Sequence, residues 1–224
     1  MKADADIKRD VEAELKWDPR IDETDIAVKV NGAAVTLTGY VRNYLERHVA
    51  EQTAKRVAGV AAVANDIQVR LSHIAKTTDP EIAREAIATL KSHLPLAWEQ
   101  IKVMVDNAHV RLEGKVEWNF QREVAEAAIR HVKGVLSLRN HITVVPTVTA
   151  AGITAAQIKL KIEEAFKRSA EVDARHVTVD ANEAEVTLWG KVRTWAERDE
   201  AQRSAWSAPG VTKVTNNLQV SPWG

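Results

Sequence analysis

The chain has no cysteine. Disulfides, thiolate metal sites and thiol nucleophiles are therefore excluded. It has no net charge either: 31 Lys and Arg offset 31 Asp and Glu, and the balance holds within each third of the sequence. No segment carries the basic excess that holds a phosphate backbone by electrostatics, so nucleic acid is not an expected partner. No apolar run approaches the roughly 20 residues that cross a bilayer, so no transmembrane segment is expected. The N-terminus, MKADADIKRDVEAEL, is charged and lacks the apolar core of a signal peptide. That predicts the cytoplasm, with the periplasm as the alternative if an export signal has been removed. Phenylalanine and tyrosine are scarce, two of each, against seven tryptophans.

What the chain does have is a repeat. The string "GVAAVANDIQV" at Gly59 to Val69 returns as "GVLSLRNHITV" at Gly134 to Val144 and as "GVTKVTNNLQV" at Gly210 to Val220. A long fixed period sets architecture before any local reading does. Upstream, Gly39, Gly114 and Gly190 close the strings "VTLTG", "VRLEG" and "VTLWG", and Arg47, Arg122 and Arg198 follow at matched places. Further upstream, Ile7, Val11 and Leu15 match Ile82, Ala86 and Leu90, then Ile158, Ile162 and Phe166. The units run over 1–70, 79–145 and 152–221, joined by the short turn-rich linkers "LSHIAKTT" and "VPTVTAAG".

Each unit parses alike. Apolar residues four apart mark an amphipathic helix, with Asp79-Pro80 and Thr154 as start signals for the second and third. Alternation in Ile26, Val28, Val30 and its counterparts marks a half-buried strand. Asn31-Gly32 is a two-residue hairpin signal. Asp106-Asn107 is its counterpart, and Asp180-Ala181-Asn182 suggests a longer turn. A second strand, an Ala-rich helix and a third strand follow. The expected fold class is α+β: three tandem αββαβ units, each a three-stranded mixed sheet with two helices on one face. The hairpin is antiparallel and the strand–helix–strand crossover joins parallel strands.

Nine repeated positions read as structural. Gly59, Gly134 and Gly210 fall where a helix wants a left-handed residue after its last turn. Gly39, Gly114 and Gly190 lie on the inward face of the second strand, where glycine points to the close approach of a helix. Asn65, Asn140 and Asn216 lie on the inward face of the third strand. A buried amide needs partners, so each is expected to tie down a neighbouring turn or helix end.

The motif "V-x-L-x-G-x-V", the arginine seven or eight residues later, the Ala-rich helix and "G-V-x-x-V-x-N-x-l-x-V" resemble the BON domain, a bacterial module of osmotically induced and nodulation proteins. All three copies carry it. The resemblance implies an αββαβ fold without catalysis and association with phospholipid membranes, often under envelope or osmotic stress. It also implies a second reading, because a cytoplasmic relative with such a domain senses potassium: a cytoplasmic ion sensor whose site of backbone carbonyls and carboxylates would leave little trace in sequence.

The residues themselves hold no signature of catalysis. Seven histidines are scattered without zinc spacing, and no phosphate-binding loop or nucleophile elbow is present. No enzyme activity, cofactor or metal is expected. Alternate strand residues must face away from the helices. In the first unit they are a bland polar set including Lys29, Thr36, Thr38 and Tyr40; in the third they include Thr178, Trp189, Lys191 and Asn217. In the second they are Lys102, Met104, Arg111, Glu113, Lys115, Arg139, His141 and Thr143. Lys102, Arg111, Lys115, Arg139 and His141 are therefore the candidates for an anion-binding face, directed at a phospholipid surface or an acidic protein partner. Trp17, Trp98, Trp118, Trp189, Trp195 and Trp206 are candidates for interfaces, because tryptophan favours boundaries between apolar and wet surroundings. They support a third reading, a scaffold whose units join each other or a second copy in a homo-oligomer. Trp17 and Trp98 are expected in the loop after the first helix.

Overall fold

Ile7, Val11 and Leu15 lie along one stripe of helix and are almost wholly buried, as are Ile82, Ala86 and Leu90, and Ile158, Ile162 and Phe166. Burying each large side chain stabilises its unit by about 1.5–3 kcal/mol. The stripe rests on a sheet in every unit. A computed structural model of the chain describes residues 2–71, 77–146 and 153–221; most of both linkers lies outside the described residues. Unit one is α1 (Asp4–Trp17), β1 (Ile26–Asn31), β2 (Ala34–Val41), α2 (Tyr44–Arg56) and β3 (Ala62–Val69). Unit two is α3 (Asp79–His93), β4 (Ile101–Asp106), β5 (His109–Val116), α4 (Asn119–Ile129) and β6 (Ser137–Val144). Unit three is α5 (Ala155–Arg168), β7 (Val177–Asn182), β8 (Glu185–Val192), α6 (Trp195–Trp206) and β9 (Lys213–Val220). The expected fold class holds.

The second strand of each unit is central, antiparallel to the first and parallel to the third. The hairpin turns sit later than the sequence suggests. The turn residues are Gly32-Ala33, Asn107-Ala108 and Glu183-Ala184, and Asp180 to Asn182 belong to β7. In the first two units both turn residues have positive φ, and both second residues are alanine. A left-handed alanine is costly on its own. The first residue of the first helix offsets that cost. Asp4 accepts from the amides of Gly32 and Ala33, and Asp79 from those of Asn107 and Ala108.

The inward glycines face something other than a helix. A Cβ on Gly39, Gly114 or Gly190 would lie 1.9–2.0 Å from the carbonyl oxygen of Asp25, Gln100 or His176, the residue just before the unit's first strand. Their φ angles of 125–143° would strain any other residue. The later glycines also have positive φ, 86–98°. They occupy the turn leading into the third strand rather than the position directly after the helix, which ends at Arg56, Ile129 and Trp206.

The asparagines anchor strand to helix. Asn65, Asn140 and Asn216 donate to the carbonyls of Arg47, Arg122 and Arg198, in the first turn of the second helix, at 3.0–3.2 Å. Each Oδ1 accepts from the amide two residues on. The anchor is thus the start of the helix, as the sequence suggests, and it includes Glu51, Glu126 or Gln202 one turn further.

The second helices also join the units. Tyr44 of α2 packs against the core of unit two, and Trp206 of α6 packs against the cores of both units two and three. Lys55 of α2 stands 4.9 Å over the Trp195 ring of α6, and Arg122 of α4 stands 5.7 Å from the centre of Trp206. With the helices gathered here, the outer sheet faces remain uncovered.

Candidate anion-binding face

The face of unit two opposite its helices is built by parity. β5 turns Val110, Leu112 and Val116 into the core, so Arg111, Glu113 and Lys115 face out. Register then sets the rows. Met104, Arg111 and Arg139 lie side by side across β4, β5 and β6. Lys102, Glu113 and His141 form the next row, and Lys115 pairs with Thr143. The structure therefore brings all five candidates, Lys102, Arg111, Lys115, Arg139 and His141, onto one sheet face, and all are exposed.

Two like charges oppose each other here. Arg111 and Arg139 occupy partnered positions on adjacent strands, an arrangement that costs stability unless something moderates it. Glu113 does so in part, its Oε1 lying 3.3 Å from Arg111 Nε. The Met104 sulfur accepts from Arg111 Nη2 at 3.4 Å. Among the described residues, Lys102, Lys115 and Arg139 make no ion pair. The face thus carries four fixed positive charges against two carboxylates, Glu113 and, at the hairpin end, Asp106, and only one of the four is partnered.

At the hairpin end the face deepens into a shallow cavity of about 450 Å³, lined by Met104, Asp106, His109, Arg111, Ser137 and Arg139. His109 Nδ1 and Ser137 Oγ are 2.6 Å apart across the strands. His109 and Ser137 share the parity of Arg111 and Arg139, so alternation extended by one residue pair identifies them. They were missed because attention to formal charge passes over a neutral imidazole and a hydroxyl. Asp106 contributes the only carboxylate of this rim.

The equivalent faces differ. Unit one presents Tyr40 with the Arg70 guanidinium stacked 3.1 Å from its ring centre. Unit three presents Trp189, half exposed, between Thr178 and Asn217. The other tryptophans scatter. Trp17 is the last residue of α1 rather than part of a loop, and is 83% exposed. Trp98 opens a one-turn 3-10 helix, with Lys91 4.2 Å from its ring. Trp118 is exposed before α4, while Trp195 and Trp206 lie where the second helices meet. No group of three His, Asp or Glu side chains among the described residues could hold a metal ion, and no described helix is long and apolar enough to cross a membrane.

The BON domain family matches the chain three times, over residues 3–70, 78–146 and 154–222. Osmotically-inducible protein Y of Escherichia coli (strain K12) is 30% identical over 141 residues, which is 61% of this chain and 70% of that protein. Among solved structures, the C-terminal domain of CdsD, a structural protein of the type III secretion system of Chlamydia trachomatis, aligns over 99% of this chain and 100% of its own at 14% identity and a TM-score of 0.28. The PrgH periplasmic domain aligns over 88% and 95%, at 14% identity and a TM-score of 0.21. Superposition at that level carries no argument about arrangement or role.

Proposed function

The chain belongs to the BON domain family, and on that premise we propose that it is a non-enzymatic binding protein of the osmotic stress response that docks the open sheet face of unit two on anionic phospholipid surfaces. The observation that carries this reading is the row of Arg111 beside Arg139, flanked by the unpaired Lys102 and Lys115. The similarity to a protein named as osmotically inducible supports the stress setting.

The magnitudes suit a peripheral contact. Each basic residue near an anionic membrane contributes about 1 kcal/mol. Four give about 4 kcal/mol, a millimolar interaction on its own. Such a contact is weak, salt-dependent and reversible, and becomes firm only through avidity or accumulation on one membrane.

Co-sedimentation with phosphatidylglycerol vesicles and with phosphatidylcholine vesicles tests it. The expected result is binding to the anionic vesicles alone, weakening as salt rises and lost in the double variant Arg111→Glu, Lys115→Glu. Equal binding to both vesicle types, or a variant that still sediments, refutes the reading.

A further inference from the structure

At the hairpin end of unit two, four donor side chains stand in two adjacent rows. Arg111 pairs with Arg139 across β5 and β6, and His109 pairs with Ser137 one row nearer the turn. All four line the same cavity of about 450 Å³. The sister units differ at these four positions. In unit one they are Thr36 beside Ala64 and Ala34 beside Ala62. In unit three they are Thr187 beside Thr215 and Glu185 beside Lys213, and the last two close on each other as an ion pair at 2.8 Å. The cluster therefore belongs to unit two and not to the repeat.

These donors are not used up within the chain. Among the described residues, Arg139 makes no hydrogen bond or ion pair. Arg111 turns Nε to Glu113 and Nη2 to the Met104 sulfur, which leaves Nη1. His109 Nδ1 and Ser137 Oγ, 2.6 Å apart, share one hydrogen bond. If the serine donates, the neutral imidazole carries its hydrogen on Nε2 and can donate it outward; if the imidazole donates, the hydroxyl hydrogen is free. Either way the pair keeps a hydrogen for a ligand. Two guanidinium groups at partnered positions repel each other, and an anion with charge enough for both relieves that. A phosphomonoester has close to two negative charges at neutral pH and one more terminal oxygen than a phosphodiester, and guanidinium forks match its geometry. Asp106, the carboxylate of the rim, stands on β4, on the side of His109 away from Ser137, and accepts from Asn107 Nδ2 at 2.9 Å.

We propose, resting on the reading of this sheet face as a membrane contact, that the cavity takes the phosphomonoester headgroup of phosphatidate and gives that contact its lipid preference. Arg111 and Arg139 meet the charge of the headgroup, and the His109–Ser137 pair donates to the additional oxygen. The source is a lipid rather than a soluble phosphate. The cavity is shallow and opens on an exposed face, and Lys102 and Lys115 lie further along the same face. A single phosphate on exposed donors binds weakly in free solution. It gains from the neighbouring lysines only when other anionic headgroups are held beside it in one surface.

The test sediments the whole chain with phosphatidylcholine vesicles containing either phosphatidate or phosphatidylglycerol, adjusted to equal electrophoretic mobility so that the surface potentials match. Phosphatidate vesicles should bind about tenfold more tightly, the effect of one further hydrogen bond to a charged group. The double variant His109→Gln, Ser137→Ala keeps every fixed charge and should remove most of that ratio. Arg139→Gln should weaken binding to both vesicles and remove the ratio as well. Glycerol 3-phosphate should compete only at millimolar concentration. Equal binding to the two vesicle types, or a ratio unchanged in both variants, overturns the proposal and leaves the face as a general anionic contact. Absence of binding to either vesicle type overturns both readings. Binding to phosphatidate alone upholds the headgroup site and overturns the general contact. Displacement by micromolar glycerol 3-phosphate overturns the assignment to a lipid.

Discussion

Arg47 and Asn65 hold each other's backbone. The Asn65 amide donates to the Arg47 carbonyl at 3.0 Å, while the Arg47 guanidinium donates to the carbonyls of Asn65 and Ile67 at 2.9 and 2.8 Å. Arg198 does the same to the carbonyls of Asn216 and Leu218. An edge strand leaves half its carbonyls unpaired, and here the second helix satisfies them on the third strand. In unit two the equivalent Arg122 turns to Trp206 of unit three instead. Asn65→Ala should therefore cost about 1–3 kcal/mol, because it strips a half-buried carbonyl of its donor. Arg122→Ala should leave unit two almost as stable and loosen its contact with unit three. Urea denaturation with a fluorescence probe at Trp206 separates the two outcomes; equal loss of stability in both variants would count against this division of roles.

Gly114 has less room for a side chain than Gly134, the other glycine of unit two. A methyl group at Gly114 would lie 2.0 Å from the Gln100 carbonyl oxygen, a backbone atom that cannot swing aside. Its φ of 143° adds strain for any L side chain. Gly114→Ala should cost about 3 kcal/mol or more, in the range of severe point mutations. Gly32→Ala, with nothing within 4 Å, should cost far less even though its φ is positive. Thermal unfolding monitored by circular dichroism measures both, and similar costs would show that conformation rather than contact decides.

These contacts explain how much could be read in advance. Periodicity located the α-helices and strands, because a buried stripe such as Ile7, Val11 and Leu15 must recur at helical spacing, while the one-turn 3-10 helices such as that at Trp98 are too short to show a period. Alternation likewise placed Arg111 and Arg139 on one face. The first two hairpin turns sit one residue later than the sequence suggests, because a left-handed alanine looks forbidden until Asp4, 29 positions away, is seen to hold its amide; in unit three the expected turn at Asp180–Asn182 is strand instead. Gly39 was assigned the wrong neighbour for a related reason. Sequence shows that something must come close, and only register shows that it is the carbonyl of Asp25. Long-range hydrogen bonds leave no periodic trace. Nor does the gathering of α2, α4 and α6, since Tyr44 and Trp206 sit at positions that a single unit would leave wet.

His48 lies in that gathering, on α2. Burial is the main cause that lowers its pKa from the ordinary 6.5, and the charge of Arg130, which caps the C-terminus of α4, adds to it. Glu51 and Glu126 act in the opposite direction and Lys55 in the same one, so the net shift is downward. A histidine with a depressed folded pKa stays neutral in the folded chain where the unfolded chain already binds a proton. Its contribution is complete above pH 6.5 and is lost as pH falls from there towards the folded pKa. The chain should therefore weaken in that window, and His48→Gln should flatten this part of the profile. Denaturant midpoints measured at half-unit steps from pH 5 to pH 8 provide the check; a profile unchanged by the substitution would assign the acid weakening to other groups.

Glu113 is the residue that restrains the basic face. It stands between Lys102 and His141 in register and pairs with Arg111 at 3.3 Å. An exposed pair of this kind contributes little to folding, at most about 1 kcal/mol. Its effect on the surface potential is larger, because it cancels one of four positive charges that an anionic membrane would meet. Glu113→Gln should therefore leave the melting temperature nearly unchanged and tighten binding to phosphatidylglycerol vesicles about fivefold at low salt, the equivalent of about 1 kcal/mol. The gain should shrink at high salt, where exposed charges are screened within a few ångströms. The same substitution strengthens nothing if the chain meets its membrane through Trp17 or Trp189, so vesicle sedimentation of this one variant distinguishes the charged face from the exposed tryptophans.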